Sequence, residues 1–355
     1  MDTPKVSIII LNYNGWADTV ECLESVLRND YPNYEVIVVD NDSPNGSMAY
    51  LKAWAEGHLP SQCPDRLCPD LSSPPVPKPI SFAYYTKDDV VREKRNNVIN
   101  SFWANTKIGE TITTHYPLTF IQTGSNLGFA GGNNVGIRHA INNGAAYILL
   151  LNNDTVVEPS FLREMMAVAI VKKKVAVFGS VILDYYTGKT VFTNSFIDRK
   201  LKAHIRLDYA NSDRKWWATE RVCGAAMMVK CDYITKHALF LDERLFLYGE
   251  EMDISMRAKN YGLGTIMVSR SKVYHKEGAT TGGDIKPANI YYALRNTIYL
   301  AKKLLSLKNQ IIFNLFFFSA RLVRVFEWSL RGQWDLVKIT FYAFRDGFRG
   351  KAGKI

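Results

Sequence analysis

The sequence predicts an α/β fold built on an open, mostly parallel sheet and followed by a basic helical region. Short runs of β-branched and aliphatic residues alternate with segments of helical periodicity. Polar residues follow several of the predicted strands directly. Because ligands of open α/β sheets bind beyond the carboxyl ends of the strands, these polar residues mark the expected site.

The first 40 residues predict a β-α-β unit. Residues 6–11 (Val-Ser-Ile-Ile-Ile-Leu) form the nearly continuous apolar run that is typical of a strand buried on both faces. Apolar residues recur at helical spacing from Trp16 to Leu27, and residues 35–39 predict a second buried strand.

The same alternation continues along the chain. Pro159 stands where a further helix can begin, since proline is tolerated in the first turn. The other predicted elements are strands at residues 120–121, 147–151, 175–183 and 223–229 and helices at residues 133–142 and 250–261.

Between residues 55 and 117 the pattern lapses. Seven prolines lie between Pro60 and Pro79, and an asparagine-rich stretch follows. We expect a long surface insertion here. His58, Cys63 and Cys68 lie in it, but no fourth ligand has the spacing of a zinc site.

The charge is concentrated at the C-terminus. The 355 residues include 44 Lys and Arg and 34 Asp and Glu, a net charge of +10. From Ile285 to Ile355 there are 13 basic and three acidic residues, so the rest of the chain is neutral. This aromatic, basic region predicts contact with an anionic membrane surface, and the alternative is a helical pair packed on its own domain or on a dimer partner. No nucleic-acid-binding motif accompanies the charge.

The cysteines and the apolar segments indicate a cytosolic protein. Five cysteines in a long chain argue against a secreted disulfide framework. The first apolar run is short and ends in Asn12, unlike a signal peptide, and the longest charge-free stretch of the tail is 12 residues, residues 309–320. We therefore expect no transmembrane helix.

Four polar clusters follow predicted strands or turns: Asp40-Asn-Asp42, residues 124–134 (Gly-Ser-Asn-Leu-Gly-Phe-Ala-Gly-Gly-Asn-Asn), Asn152-Asn-Asp154, and residues 249–253 (Gly-Glu-Glu-Met-Asp). Each cluster alone is compatible with ordinary turns or with a charged helix start. Their order is more specific, because it places carboxylates, amides and a glycine-rich segment at successive strand ends.

In order and spacing these clusters resemble glycosyltransferase family 2. The opening Val6-Ser-Ile-Ile-Ile-Leu-Asn-Tyr-Asn14 and residues 38–41, 126–136, 149–154 and 248–253 are similar to its rhamnosyltransferase branch. The likeness covers roughly residues 4–300, with the proline-rich insertion outside it. The resemblance implies a GT-A fold, which is Rossmann-like, and transfer of a sugar from a nucleotide donor with inversion. We expect a catalytic domain at residues 1–285, interrupted by the insertion at 55–117, and a basic helical region at 286–355.

The resemblance also implies a divalent metal, Mg2+ or Mn2+, which neutralises the diphosphate leaving group. By family position Asp154 is its carboxylate ligand, and His275 matches an additional metal-binding histidine. Asn152 stands where the family usually has an aspartate, so we expect a weaker, neutral amide ligand there.

An acceptor hydroxyl must lose its proton as it attacks, and a carboxylate is the expected general base. The family's acidic pair maps onto Glu250 and Glu251. Glu251, which replaces the usual aspartate, is the predicted base, and Glu250 is predicted to orient the acceptor or the base. Asp253 is predicted to support the helix, with Arg257 at i+4.

Donor binding is predicted for the first half of the chain. Asp40 can accept from N3–H of uracil or thymine, in agreement with its family position. The other predicted nucleotide-sugar-binding residues are Asn12, Asn14, Asn126, Gly128, Gly131 and Asn153. For the glycines, the alternative is a role in loop and helix packing.

The leading hypothesis is therefore an inverting, metal-dependent transferase that uses dTDP-rhamnose and extends a polysaccharide or lipid-linked glycan at the cytoplasmic membrane face. A UDP-sugar donor, such as UDP-galactofuranose or a UDP-hexose, would leave the same motifs. Two rivals are a nucleotidyltransferase, which would need a basic loop that residues 12–15 lack, and a catalytically silent scaffold that binds nucleotide sugar at the membrane.

Overall fold

The computed structural model describes residues 3–59, 69–96, 118–209, 213–276 and 287–355. It begins with the predicted β-α-β unit. The elements are β1 (Val6–Asn12), α1 (Trp16–Val26), β2 (Tyr34–Asp40) and α2 (Ser47–Glu56). β1 and β2 are parallel, with Asn12 opposite Asp40, and their aliphatic side chains are buried in one large core.

The middle of the chain adds elements that extend the sheet on both sides of this unit. They are α3 (Pro69–Ser72), β3 (Phe82–Thr86), α4 (Lys87–Asn96), β4 (Leu118–Gln122), α5 (Gly128–Asn142), β5 (Tyr147–Asn152), β6 (Thr155–Val157) and α6 (Phe161–Ala169). β3 lies within the predicted insertion at 55–117, which stays a prediction, and it pairs in parallel with β4 at the edge of the sheet. The sequence does not predict this strand, because it follows a proline-rich stretch and its five residues are partly buried or exposed at the sheet edge.

The second half supplies the remaining strands and the helix with the acidic cluster. These elements are β7 (Val175–Asp184), β8 (Thr190–Phe192), β9 (Asn194–Ile197), β10 (Ala203–Arg206), β11 (Trp216–Ala218), β12 (Ala226–Lys230), α7 (Cys231–His237), α8 (Glu250–Asn260) and β13 (Gly264–His275). The predicted strands at 175–183 and 223–229 and the helix at 250–261 correspond to β7, β12 and α8.

The main sheet has the strand order β11-β13-β7-β12-β5-β1-β2-β4-β3, and β9 and β10 form a separate hairpin. The pairs around β1 are parallel, whereas β12 runs antiparallel to both β5 and β7. The carboxyl ends of β1, β2 and β5 therefore meet at one edge. The antiparallel β12 begins at that same edge, so the loop before it joins them.

Three helices form the C-terminal region: α9 (Pro287–Leu304), α10 (Leu307–Leu330) and α11 (Trp334–Arg349). Gly332, at φ 69°, separates α10 from α11. Phe318 of α10 stacks on Phe348 of α11. Across the described parts of the chain, none of the helices has both the length and the apolar character needed to cross a membrane.

Candidate active site

The loop after β1 and the loop after β5 are held together by polar side chains. Asn12 Oδ1 accepts hydrogen bonds from Gly15 N (3.1 Å) and Thr19 Oγ1 (3.0 Å). Asn153 Nδ2 donates to Thr19 Oγ1 (3.1 Å) and to the carbonyl of Gly15 (3.2 Å). A Cβ on Gly15 would lie 2.6 Å from Asn153 Nδ2, so only glycine permits this approach.

Asp40 is the centre of a hydrogen-bond network at the end of β2. Its Oδ1 accepts from Asn12 Nδ2 (2.6 Å) and Ser43 Oγ (2.6 Å), and its Oδ2 accepts from Ser43 N (3.1 Å) and Gln122 Nε2 (3.0 Å). The carboxylate is 1% exposed. It can accept from a nucleobase only by exchanging one of these bonds, and Gln122 is a neighbour that the sequence did not reveal. Asn14, with φ 61°, lies beside it and donates its N–H to Ser43.

The glycine-rich segment begins a helix, α5, instead of forming an open loop. Asn126 Oδ1 accepts from Gly128 N (2.9 Å) and from Asn41 Nδ2 (3.1 Å). Gly128 has φ +72°, and a Cβ there would lie 2.3 Å from the carbonyl oxygen of Phe246. A Cβ on Gly131 would lie 2.8 Å from that of Leu127. Packing alone thus accounts for these glycines, and their contact with a donor stays a prediction.

Asp154 and His275 come together from β5 and β13. Asp154 Oδ1 lies 3.2 Å from His275 Nε2, and both side chains are largely buried. Asn152 Nδ2 lies 3.5 Å from the same Nε2. β6 links the two segments, because His275 pairs with Thr155.

Asp154, His275 and Asn152 are ligands that fit a divalent cation, with a bound substrate supplying the remaining ligands. Two adjacent octahedral ligands, each about 2.1 Å from Mg2+, are about 3 Å apart, close to the separation of Asp154 and His275. The described residues contain no group of three His, Cys, Asp or Glu side chains able to hold a metal. One carboxylate, one imidazole and the Asn152 amide leave positions for phosphate oxygens and water.

Lys276 fixes this end of β13 against α1. Its Nζ forms ion pairs with Asp18 (2.6 Å) and Glu21 (2.6 Å), and Tyr185 Oη donates to Glu21 (2.7 Å). Its backbone N–H donates to the carbonyl of Asp154 (3.0 Å). Sequence analysis does not predict this ion-pair cluster, since Lys276 and Tyr185 are far along the chain from Asp18 and Glu21.

The acidic pair at the start of α8 has two different environments. Glu251 is partly exposed, and its Oε1 accepts from Arg221 Nη1 (2.6 Å). Glu250 is 3% exposed. Burial, with the nearby Glu251 charge adding to it, raises the pKa of Glu250 to about 8. Glu250 is therefore mainly neutral at pH 7, and its burial does not favour the predicted contact with an acceptor.

A backbone hydrogen bond connects the metal-side loop to the acidic helix. Asn152 N donates to the carbonyl of Ala225 (2.9 Å), and the preceding Gly224 faces Glu251. An ideal Cβ on Gly224 would lie 3.9 Å from Glu251 Oε2. Ala225 and Gly224 thus connect Asn152, a candidate metal ligand, to Glu251, the candidate base, although these two residues are 99 positions apart in the sequence.

Helix α9 holds the segment that precedes α8. Asn296 Nδ2 donates to the carbonyls of Leu245, Leu247 and Tyr248, at 2.7–2.9 Å. Arg295, 1% exposed, donates to the carbonyl of Leu245 as well (2.7 Å). By these contacts α9 belongs with the catalytic unit, and a boundary at 285/286 stays a prediction.

Asp253 has the supporting role that its i+4 spacing predicts. Its Oδ2 accepts from Arg257 Nε (2.8 Å), and its Oδ1 pairs with Lys303 of α9. Lys303 also pairs with Asp242 (2.7 Å). The first turn of α8 is therefore fixed by ion pairs on the side away from Arg221.

Comparison with known proteins identifies the family of the chain. The family model described as Glycosyl transferase family 2 matches residues 7–64 and 107–237, more than half of the chain. The unmatched residues 65–106 lie inside the predicted insertion. The dTDP-rhamnosyl transferase RfbF of Shigella flexneri is 22% identical over 281 residues, which cover 74% of this chain and 87% of that protein.

Two solved structures share the fold. Staphylococcus aureus TarS 1–349 in complex with UDP-GlcNAc has a TM-score of 0.52 at 15% identity and covers 98% of this chain and 81% of its own. GalNAc-T7 with UDP, GalNAc and Mn2+ has a TM-score of 0.54 at 12% identity, over 85% of this chain. This chain spans 48% of the GalNAc-T7 chain. The predicted GT-A fold is confirmed, the rhamnosyl transferase match agrees with the predicted branch, and the chain belongs to glycosyl transferase family 2.

Proposed function

We propose that the protein transfers a sugar, rhamnose from dTDP-rhamnose, to a hydroxyl of a polysaccharide or lipid-linked glycan, with inversion at the anomeric carbon. The observation that carries the proposal is that the loop before β12 hydrogen-bonds to the end of β5 through Ala225 and faces Glu251 of α8 through Gly224. This loop links the segment of the metal-compatible carboxylate and imidazole to a partly exposed carboxylate, Glu251. The relative from Shigella flexneri, a dTDP-rhamnosyl transferase, supports the choice of donor.

Donor binding is assigned to the ends of β1, β2 and β5. Asp40 would accept from N3–H of the base in exchange for its bond to Gln122. The loops that contain Asn12, Asn14 and Asn153 are fixed by their mutual hydrogen bonds and would form the wall of the ribose pocket. The positive end of α5, which follows Asn126, faces the same edge and favours an anionic group.

In the reaction, the acceptor oxygen bonds to the anomeric carbon as its proton passes to Glu251. The bond from that carbon to the diphosphate oxygen breaks, and its electron pair leaves with the nucleoside diphosphate. A Mg2+ or Mn2+ ion held by Asp154 and His275, with Asn152 beside them, would neutralise the charge on this leaving group. GalNAc-T7, which shares the fold, was solved with Mn2+.

The donor is tested by calorimetric binding of dTDP-rhamnose and a panel of UDP-sugars, with dTDP and UDP as controls, with and without Mn2+. We expect metal-dependent binding and a preference for dTDP-rhamnose. Preference for a UDP-sugar replaces the donor but keeps the mechanism. Absence of binding to all of them favours the silent scaffold.

The base is tested with Glu251→Gln, assayed by release of dTDP from dTDP-rhamnose. We expect at least a hundredfold loss of turnover with dTDP affinity unchanged, since a general base contributes about 10²–10⁴-fold. Glu243→Gln, which changes an exposed carboxylate before α8, is the matched control. Full turnover of Glu251→Gln would remove this residue as the base.

We also propose that the enzyme works at the inner face of the cytoplasmic membrane. On α10, an apolar stripe faces away from the protein; its members are Leu307, Ile311, Leu315, Leu322 and Phe326, each more than half exposed. On α11, Trp334, Phe341 and Phe348 recur every seven residues. An anionic lipid surface fits this apolar and cationic tail, whereas a second copy would bring an equal positive charge against it.

Vesicle sedimentation tests this surface with the full chain. We expect binding to vesicles of phosphatidylglycerol and phosphatidylcholine and much weaker binding to phosphatidylcholine alone. The triple variant Ile311→Gln, Leu322→Gln, Phe326→Gln should lose most of the binding while dTDP affinity is unchanged. Equal binding to both vesicle types, or a dimer that the triple variant dissociates, would contradict the proposal.

A further inference from the structure

Two residues of the loop before β12, Arg221 and Gly224, lie next to the carboxylate of Glu251. Arg221 Nη1 donates to Oε1 at 2.6 Å, and the Arg221 and Glu251 side chains are 16% and 19% exposed. The guanidinium also lies over the Phe192 ring, with 5.8 Å from Cζ to the ring centroid. Arg221 is therefore held in place by two contacts, and it holds Oε1 in turn.

The other oxygen, Oε2, faces Gly224. Among the described residues, none donates a hydrogen bond to Oε2. Gly224 does not have a positive φ, and an added Cβ would meet only Oε2, at the ordinary contact distance of 3.9 Å. Neither the backbone conformation nor the packing requires glycine at this position. The absence of a side chain instead leaves the space beside Oε2 open.

We propose that Arg221 is a positioning residue that fixes the base by Oε1, so that Oε2 receives the acceptor proton in the space that Gly224 leaves open. This inference rests on the proposed function, in which Glu251 is the general base. A guanidinium on one oxygen also orients the lone pairs of the other, because it fixes the plane of the carboxylate. Misplacement of a reacting group by about 1 Å can lower the rate about a hundredfold.

The chain offers a matched control for this contact. A second ion pair joins the same loop to the same helix: Lys259 Nζ lies 2.7 Å from Glu220 Oε1, on the exposed surface. Lys259→Gln removes this link between loop and helix without touching Glu251. A difference between Arg221→Gln and Lys259→Gln therefore reports on the base itself, and not on attachment of the loop.

The experiment measures release of dTDP from dTDP-rhamnose, with water as the acceptor, and dTDP affinity by calorimetry. We expect Arg221→Gln to lower kcat 10- to 100-fold, Arg221→Lys to restore part of the loss, and Lys259→Gln to stay within twofold of the parent. Gly224→Val, which covers Oε2, should also lower kcat. The dTDP affinity should be unchanged in all four variants.

Two results would overturn the inference. One is a kcat of Arg221→Gln within twofold of the parent. The other is a loss of kcat matched by an equal loss of dTDP affinity or by a large fall in Tm, which would make Arg221 a residue that only supports the fold. Glu251→Gln, assayed in parallel, separates failure of the proposed base from failure of this inference. If Glu251→Gln keeps full turnover, Glu251 is not the base. If Glu251→Gln is inactive while Arg221→Gln is not, only the positioning role of Arg221 is refuted.

Discussion

Glu250 makes the stability of the protein depend on pH in a way that one substitution should remove. The side chain is 3% exposed, and among the described residues its Oε1 has no hydrogen-bond partner. Burial, with Glu251 nearby, raises its pKa from 4.5 to about 8. In the unfolded chain the same carboxyl ionises near its ordinary pKa. Between these two values, the folded protein binds a proton that the unfolded chain does not.

The magnitude follows from this difference in bound protons. The free energy of unfolding falls by about 1.4 kcal/mol for each pH unit while the folded state alone keeps the proton. The contribution is fully present below about pH 4.5 and is lost as the pH rises through about 8. From pH 5 to pH 7, the expected loss is about 3 kcal/mol. Glu250→Gln places a neutral side chain of the same size there and removes the loss.

Urea unfolding of the parent and of Glu250→Gln at pH 5, 6 and 7 measures this effect. We expect the variant to gain about 1.4 kcal/mol over the parent for each pH unit. Glu56→Gln, at a half-exposed carboxylate, is the control and should follow the parent. Parallel profiles for the parent and Glu250→Gln would show that Glu250 is ionised in the folded protein, and the reasoning would be wrong.

Three further predictions concern buried contacts, and each is tested by urea unfolding of substituted variants. Gly128→Ala should destabilise the protein by about 2 kcal/mol or more, since its Cβ would clash with the carbonyl oxygen of Phe246. Gly144→Ala is the control: its φ is similar but the space around it is open, so it should cost only about 1 kcal/mol. Equal losses in the two variants would exclude the clash. Asn296→Ala should lower the free energy of unfolding by about 2–3 kcal/mol, because three carbonyls lose their donor. Asn296→Asp should lower it further, because a carboxylate oxygen would face the three carbonyls. An aspartate variant as stable as the alanine variant would contradict this. Glu24→Gln, which removes the buried charge bound by Lys78 and Trp54, should cost about 3 kcal/mol, and a loss below about 1 kcal/mol would show that this pair is dispensable.

The parts of the fold that the sequence predicted are those encoded locally. β1, β2 and β5 are continuous apolar runs, and polar residues directly follow them. Parallel register then determines the site, because it places Asn12 opposite Asp40 and Leu11 opposite Asn152. The sequence alone therefore predicts this edge of the sheet.

The parts that could not be predicted depend on contacts between distant segments. Arg221 lies 30 positions before Glu251 and two before Cys223, in a stretch with no distinctive pattern. The different burial of Glu250 and Glu251 also escapes sequence analysis, since adjacent residues of a helix face different directions. β3 cannot be predicted from its sequence, because an edge strand buries too few side chains to require a continuous apolar run.

The hydrogen bonds between α9 and the segment before α8 determine where chimeras of this enzyme and its relatives can be joined. Arg295 and Asn296 bind carbonyls of residues 244–248, and Arg295 also binds the carbonyl of Gly353 near the C-terminus. A chimera that exchanges the tail at residue 285 would place these donors opposite residues 244–248 of another protein. An exchange that transfers residues 242–249 together with residues 287–355 keeps these hydrogen bonds intact, and a foreign tail should be tolerated when the chain is divided in this way.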